Sequence, residues 1–124
     1  MGADEQESIQ DRERNHAADS PLVTAEQIWQ DPEVQTYISK SDEYLAAIGF
    51  TEHGPRHVKL VSRIAYNIMV RLGFPERDAE LAAISGILHD IGNLVARHDH
   101  GQTSAVLAHP ILRRHGMPPE EIAP

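Results

Sequence analysis

The chain has 124 residues, a formal net charge of −8 and no cysteine. That length allows one small domain with a modest core. The acidic balance disfavours binding to duplex nucleic acid through a basic surface. The missing cysteines exclude disulfides, thiolate metal sites and cysteine nucleophiles. Any metal site must use His, Asp or Glu, which suits Mn, Fe, Mg, Ni, Co or Zn.

Residues 1–22 are polar and charged, with Ile9 almost the only large apolar side chain before Leu22. This composition predicts a disordered acidic tail. It resembles no secretory signal, and no segment is long and apolar enough to span a membrane, so a soluble cytoplasmic protein is expected. The folded domain is predicted over 23–124. Thr24 and Gln27 have capping-box spacing ahead of Ile28 and Trp29. Asp31-Pro32-Glu33 then reads as an N-cap, a proline in the first turn and an acid beside it. Val34, Tyr37, Ile38, Leu45 and Ile48 lie near one helical face, and Gly49 suits a C-cap. Trp29 and the apolar stripes read as core.

A connector from Phe50 to Pro55 leads into a predicted helix over about 56–72. His57, Val61, Ile64, Ala65, Ile68 and Leu72 share a stripe that is expected to face the core. After Gly73 and Pro75, Leu81, Ile84, Ile87 and Leu88 carry the next helix to His89-Asp90. The two helices should be about 24 and about 21 Å long. Their short turn predicts an antiparallel hairpin, which brings His57 beside His89 and Asp90. These are nitrogen and oxygen ligands at the end of an apolar segment, where a divalent metal would satisfy them.

A polar loop is expected over 93–102, with His98, Asp99 and His100. A helix follows over about 103–114, which Pro110 should kink or break. His109 should be extended because it precedes proline. His109 and His115 read as surface or helix-end residues, and His53 as exposed or as support behind the ligands. Met117-Pro118-Pro119-Glu120-Glu121-Ile122 announces another helix, which reads as cut short at Pro124. There is no strand-period segment and no Gly-rich phosphate loop or nucleophilic serine motif. The architecture expected is all-α, a compact bundle of about five helices.

His57, an amphipathic helix and then Leu88-His89-Asp90-Ile91-Gly92 resemble the HD-domain superfamily of metal-dependent phosphohydrolases. The likeness covers about residues 44–116. The resemblance implies a helical bundle in which His57, His89 and Asp90 ligate a divalent metal. It also implies that His89 and Asp90 serve catalysis through attack of a metal-bound hydroxide on a phosphate ester or anhydride. His100-Gly101-Gln102-Thr103-Ser104 resembles the segment where an extra histidine joins a second metal or contacts phosphate. Arg56, Lys59 and Arg97 flank these residues as candidate phosphate contacts. The expected partner is a phosphorylated small molecule, with nucleotides among the candidates.

The sequence departs from the family pattern in one respect. The family's last ligand is an Asp on a later helix, and only Glu120 and Glu121 follow Gly116. Asp99 lies too close to the loop histidines to replace it. The Gly-Tyr-Pro signature of the cyclic-dinucleotide subgroup is absent as well. A catalytically incomplete metal- or ligand-binding module is therefore the alternative reading, a helical interaction domain without metal a weaker one. A chain lacking that Asp is expected to bind metal weakly, turn over little, and self-associate through an uncovered apolar face.

Overall fold

The computed structural model describes residues 22–51 and 53–124. The predicted tail therefore lies outside the described residues, except for Leu22, which is exposed. Among the described residues, six α-helices and one 3-10 turn make up the regular structure: α1 Ala25–Gln30, α2 Pro32–Ala47, α3 Pro55–Arg71, α4 Glu76–Leu88, the 3-10 turn Ile91–Leu94, α5 His100–Arg114 and α6 Pro119–Ile122. The fold is all-α, as expected, and α6 forms where Met117–Ile122 announces a helix. No helix among the described residues is long and apolar enough to cross a membrane.

The helix starts follow their local chemistry. Thr24 and Gln27 close a reciprocal capping box on α1, at 3.2 and 3.1 Å. Asp31 caps α2 by accepting from the Glu33 N–H at 2.8 Å, with Pro32 in the first turn. The second Asp31 oxygen accepts from Arg114 at 2.5 Å and His115 at 2.6 Å, which ties the α1–α2 corner to the end of α5. Arg77 of α4 donates to both Glu121 oxygens, at 2.6 and 2.8 Å, and to the Val23 carbonyl at 2.6 Å. One planar guanidinium thus joins α4, α6 and the segment entering α1.

The core gathers Ile28, Val34, Ile38, Val58, Ile84, Ile87, Leu88, Ile91, Ile111 and Met117. The stripe expected to bury α3 does not do so. Val58 and Ser62 are the buried positions of α3, whereas Ile64, Ile68 and Leu72 are exposed. The cause lies at Gly86. A Cβ there would stand 2.8 Å from the Ser62 Cα, so the two backbones approach closer than any side chain permits. Ser62 also donates to the Ala83 carbonyl at 2.8 Å. Small and polar groups therefore set the face that α3 turns toward α4, and the larger apolar side chains rotate outward.

Near the C-terminus the structure differs from expectation in two places. α5 starts at His100, not at 103, after Asp99 in the left-handed region at φ 53°. The helix also continues through Pro110, which places His109 within it and not in extended backbone. Proline deletes the N–H that would bond to the Val106 carbonyl, but Val106 and Pro110 are both exposed, so water can take that carbonyl. His115 is the C-cap and is half-buried against Asp31.

Burial raises the Asp31 pKa, but hydrogen bonds from His115, Arg114 and the Glu33 N–H outweigh it and lower the carboxyl to about 2. A lowered carboxyl stabilises the fold fully above its unfolded value and loses that contribution as pH falls through the folded one. Asp31→Asn keeps a competent cap but gives up the ion pairs. The variant should lose about 1–2 kcal/mol at neutral pH and less at low pH. Urea unfolding at pH 7 and pH 3 checks this; an equal loss at both would refute the assignment.

Candidate metal centre

α3 and α4 are antiparallel, so the first turn of α3 meets the last turn of α4. The His57 and His89 rings accordingly lie 5.9 Å apart by centroid. Asp90 follows His89, the C-cap of α4, and its carboxylate is buried. The Asp90 Oδ2 lies 3.0 Å from His89 Nε2, 3.0 Å from His53 Nδ1 and 3.9 Å from His57 Nε2. Its Oδ1 lies 3.5 Å from His100 Nε2. One carboxylate therefore faces four imidazoles, contributed by the connector, α3, α4 and α5.

Each element is held in place by specific contacts. The Asn93 side chain donates to the Asp90 carbonyl at 2.9 Å, and Ser41 of α2 donates to the Ile91 carbonyl at 3.3 Å. Ser104 lies 2.8 Å from the His89 carbonyl and 2.7 Å from the His100 carbonyl, and accepts from the Gly92 N–H at 2.8 Å. A Cβ at Gly92 would collide with the His100 carbonyl and stand 2.6 Å from the Ser104 nitrogen. Glycine is required there for α5 to bring His100 to the site. His53 is placed by Asp42 of α2, whose Oδ1 accepts from the His53 N–H at 3.0 Å.

Burial alone would raise the Asp90 pKa; hydrogen bonds and charge from His89 and His53 outweigh it and hold the carboxyl well below the usual carboxylate range. The hydrogen bond to Asp90 raises His89, with burial opposing and the Gly86 carbonyl adding to the rise. The His89 Nδ1 must carry a proton, because it lies 2.6 Å from the Gly86 carbonyl and a carbonyl can only accept. In neutral His89 the Nε2 lone pair therefore faces an anionic oxygen. His100 repeats the pattern, with Nδ1 at 3.2 Å from the Arg97 carbonyl. Such a set is satisfied by a cation between its members, either protons or a metal ion. Ligand atoms of His53, His57 and Asp90 all lie within 4.8 Å of one another, a few tenths of an ångström beyond the span of two bonds of about 2.2 Å.

A family model described as HD domain matches residues 56–124, more than half of the chain. The chain belongs to the HD-domain family. No curated protein and no solved structure matches it.

The HD-domain match includes His57, His89, Asp90 and His100 but starts after His53. The sequence leaves His53 between exposure and a supporting role, because no helix period connects it to His57. Its position depends on Asp42, and no sequence signal links that residue to a connector on the far side of Gly49. Of the two loop histidines, His100 turns to Asp90, while His98 is exposed and pairs with neighbouring Asp99 at 3.0 Å. Arg97 stacks on Phe50 at 4.6 Å and donates to Asn93 at 3.2 Å, close to the site. Phe50 in turn sets its ring edge-on to His53, 6.2 Å away. Lys59 lies 5.5 Å from the Trp29 ring centroid, and Arg56 is exposed at the start of α3.

Elemental analysis after mild dialysis should find a divalent transition metal on the protein. His89→Ala and Asp90→Ala should empty it. His53→Ala should weaken binding by about tenfold or more, read by titration calorimetry. Unchanged metal content in His89→Ala and Asp90→Ala would show that the ion sits elsewhere.

Proposed function

We propose that this HD domain is a metal-dependent phosphohydrolase acting on a phosphate ester or anhydride of a small molecule, with nucleotides first among the substrates to test. The observation that carries this reading is the buried Asp90 carboxylate surrounded by four imidazoles. His57, His89 and Asp90 would hold a divalent ion, Mn, Fe, Mg, Ni, Co or Zn, and His53 can join them. Such an ion supplies Lewis acidity toward a phosphoryl oxygen and acidifies a coordinated water.

The protein's own groups do the remaining work. The Gly86 and Arg97 carbonyls fix the His89 and His100 rings so that both present Nε2 to the site. Asp90 holds negative charge among these rings, and its Oδ2 lies at hydrogen-bond distance from His53 Nδ1, 3.0 Å. Arg97, pre-positioned by Phe50 and Asn93, offers a guanidinium to the phosphate at the rim. A cleft of about 370 Å³ opens beside His89, lined by Leu88, Ser104, Ala105, Ala108 and Leu112. It has the size and apolar character to take the organic part of a small phosphorylated molecule. The absence of cysteine accords with a cytoplasmic setting.

One observation favours a second reading, a catalytically incomplete metal- or ligand-binding module. Among the described residues, the group able to hold a metal contains one carboxylate, Asp90. Imidazoles replace the second negative charge that the family pattern implies, which reduces charge compensation for a divalent ion.

Hydrolysis of a generic phosphomonoester and a nucleotide panel, supplemented with each metal, separates the two readings. A phosphohydrolase should show metal-dependent turnover that falls by about a hundredfold or more in His57→Ala and Asp90→Asn. Metal binding without turnover on any substrate would establish the binding module instead.

Arg97→Ala should raise KM by roughly tenfold, the loss of one charge-assisted contact, with metal content unchanged. A fall in metal content in that variant would show that Arg97 supports the ligands rather than the phosphate.

A further inference from the structure

The cleft beside His89 has a direction and a one-sided chemistry. Ser104 lies 2.8 Å from the His89 carbonyl, so this part of α5 is level with the candidate metal centre. The lining then continues along α5 through Ala105 and Ala108 to Leu112, and along α4 from Leu88 back to Ile84. Ser104 and Leu112 stand about 12 Å apart along the helix axis. A second cleft of about 330 Å³ shares Ile84, Leu112 and Ile122 with the first, so apolar surface continues beyond that point. The first cleft alone, at about 370 Å³, is more than twice the roughly 150 Å³ that holds a benzene ring.

Ile84, Leu88 and Leu112 are buried side chains of the lining, and no Phe, Tyr or Trp takes part in it. A flat ring therefore finds no aromatic face to stack on. Ser85 donates to the Leu81 carbonyl at 3.0 Å, and Ser104 sits between the His89 and His100 carbonyls. Both hydroxyl hydrogens are thus committed to the backbone. Two imidazoles complete the polar side chains of the lining: His89 turns to Asp90, and His109 is exposed at the rim. A nucleobase placed here would lose water from its ring nitrogens and exocyclic groups without regaining hydrogen bonds. A saturated chain has no such groups and gains by leaving water.

We propose that this cleft takes the aliphatic chain of an alkyl phosphate monoester, with the phosphate at the metal centre and the chain laid along α5 toward Leu112. The phosphate and its fate rest on the phosphohydrolase reading, whereas the place of the chain follows from the cleft. Hydrolysis forms a bond from phosphorus to the oxygen of water and breaks the bond from phosphorus to the alkyl oxygen. A proton of that water passes to the departing alcohol. Discrimination comes from chain length, because each methylene laid in the cleft leaves water. Nucleotides are then the counter-test.

Two measurements on the metal-supplemented protein test the assignment. In the first, ethyl, butyl, hexyl and octyl phosphate are compared as substrates with a panel of nucleoside monophosphates. Across the alkyl series kcat/KM should rise about twofold or more per methylene, and octyl phosphate should exceed every nucleotide. In the second, titration calorimetry with ethylphosphonate and octylphosphonate, which are not hydrolysed, reads the cleft without turnover. The octyl compound should bind at least about thirtyfold more tightly. Ala105→Phe and Gly101→Leu add bulk to the lining. Ala105 is exposed and a Cβ at Gly101 meets open space, so the fold should persist by circular dichroism. Each variant should cut the octyl-to-ethyl affinity ratio at least about fivefold. Chain-dependent phosphonate binding without turnover supports the cleft assignment and overturns the hydrolase reading alone. Failure of octylphosphonate to bind, affinity or turnover indifferent to chain length, or a nucleotide that outruns octyl phosphate overturns the proposal. A length preference that survives in both variants overturns it as well.

Discussion

The contact on which the rest depends is the approach of α3 to α4 at Ser62 and Gly86. No Cβ fits between the two backbones there, and Ser62 spends its hydroxyl on the Ala83 carbonyl. Close packing draws the hairpin together along its length, and at one end it brings His57 to His89. It also decides which side of α3 is covered. Buried small and polar side chains leave the larger apolar ones outside, so one constraint shapes both the candidate metal centre and the exposed apolar stripe.

The centre itself is organised around a charge that cannot be solvated. Asp90 is buried, and its oxygens are met by imidazole nitrogens from four segments. Backbone carbonyls at Gly86 and Arg97 choose which ring nitrogen faces inward, at least for His89 and His100. A site of this kind places donors before the cation arrives, and so avoids ordering long side chains at the moment of binding. The same packing makes it sensitive to changes far from the ligands. Ser104 and Gly92 touch no ligand nitrogen, yet they fix the distance between α5 and Asp90.

Much of this was legible in the residues. Thr24–Gln27 and Asp31-Pro32 announced the first helix starts, and the short turn at Gly73–Pro75 announced the hairpin. These signals are local: a cap or a turn acts over a few residues, so its chemistry is complete within the sequence window. The likeness of Leu88-His89-Asp90-Ile91-Gly92 to the HD pattern accords with the family match over 56–124. By contrast, Pro110 does not break α5, because that side of the helix faces water. Whether a proline ends a helix depends on what surrounds the freed carbonyl, and surroundings are tertiary.

The sequence by itself determined an all-α chain, its helix boundaries to within a few residues, and the antiparallel pairing that sets His57 beside His89-Asp90. Tertiary structure alone decided three things. It recruited His53, through an Asp42 contact that crosses the α2–α3 connector. It selected His100 over His98, through Ser104 and the close approach at Gly92. It turned Ile64, Ile68 and Leu72 outward. Hydrophobic periodicity reports that a helix has an apolar face but not which neighbour will cover it. That choice is made by how closely two backbones can approach, and here a glycine and a serine allow the closest contact on the other side.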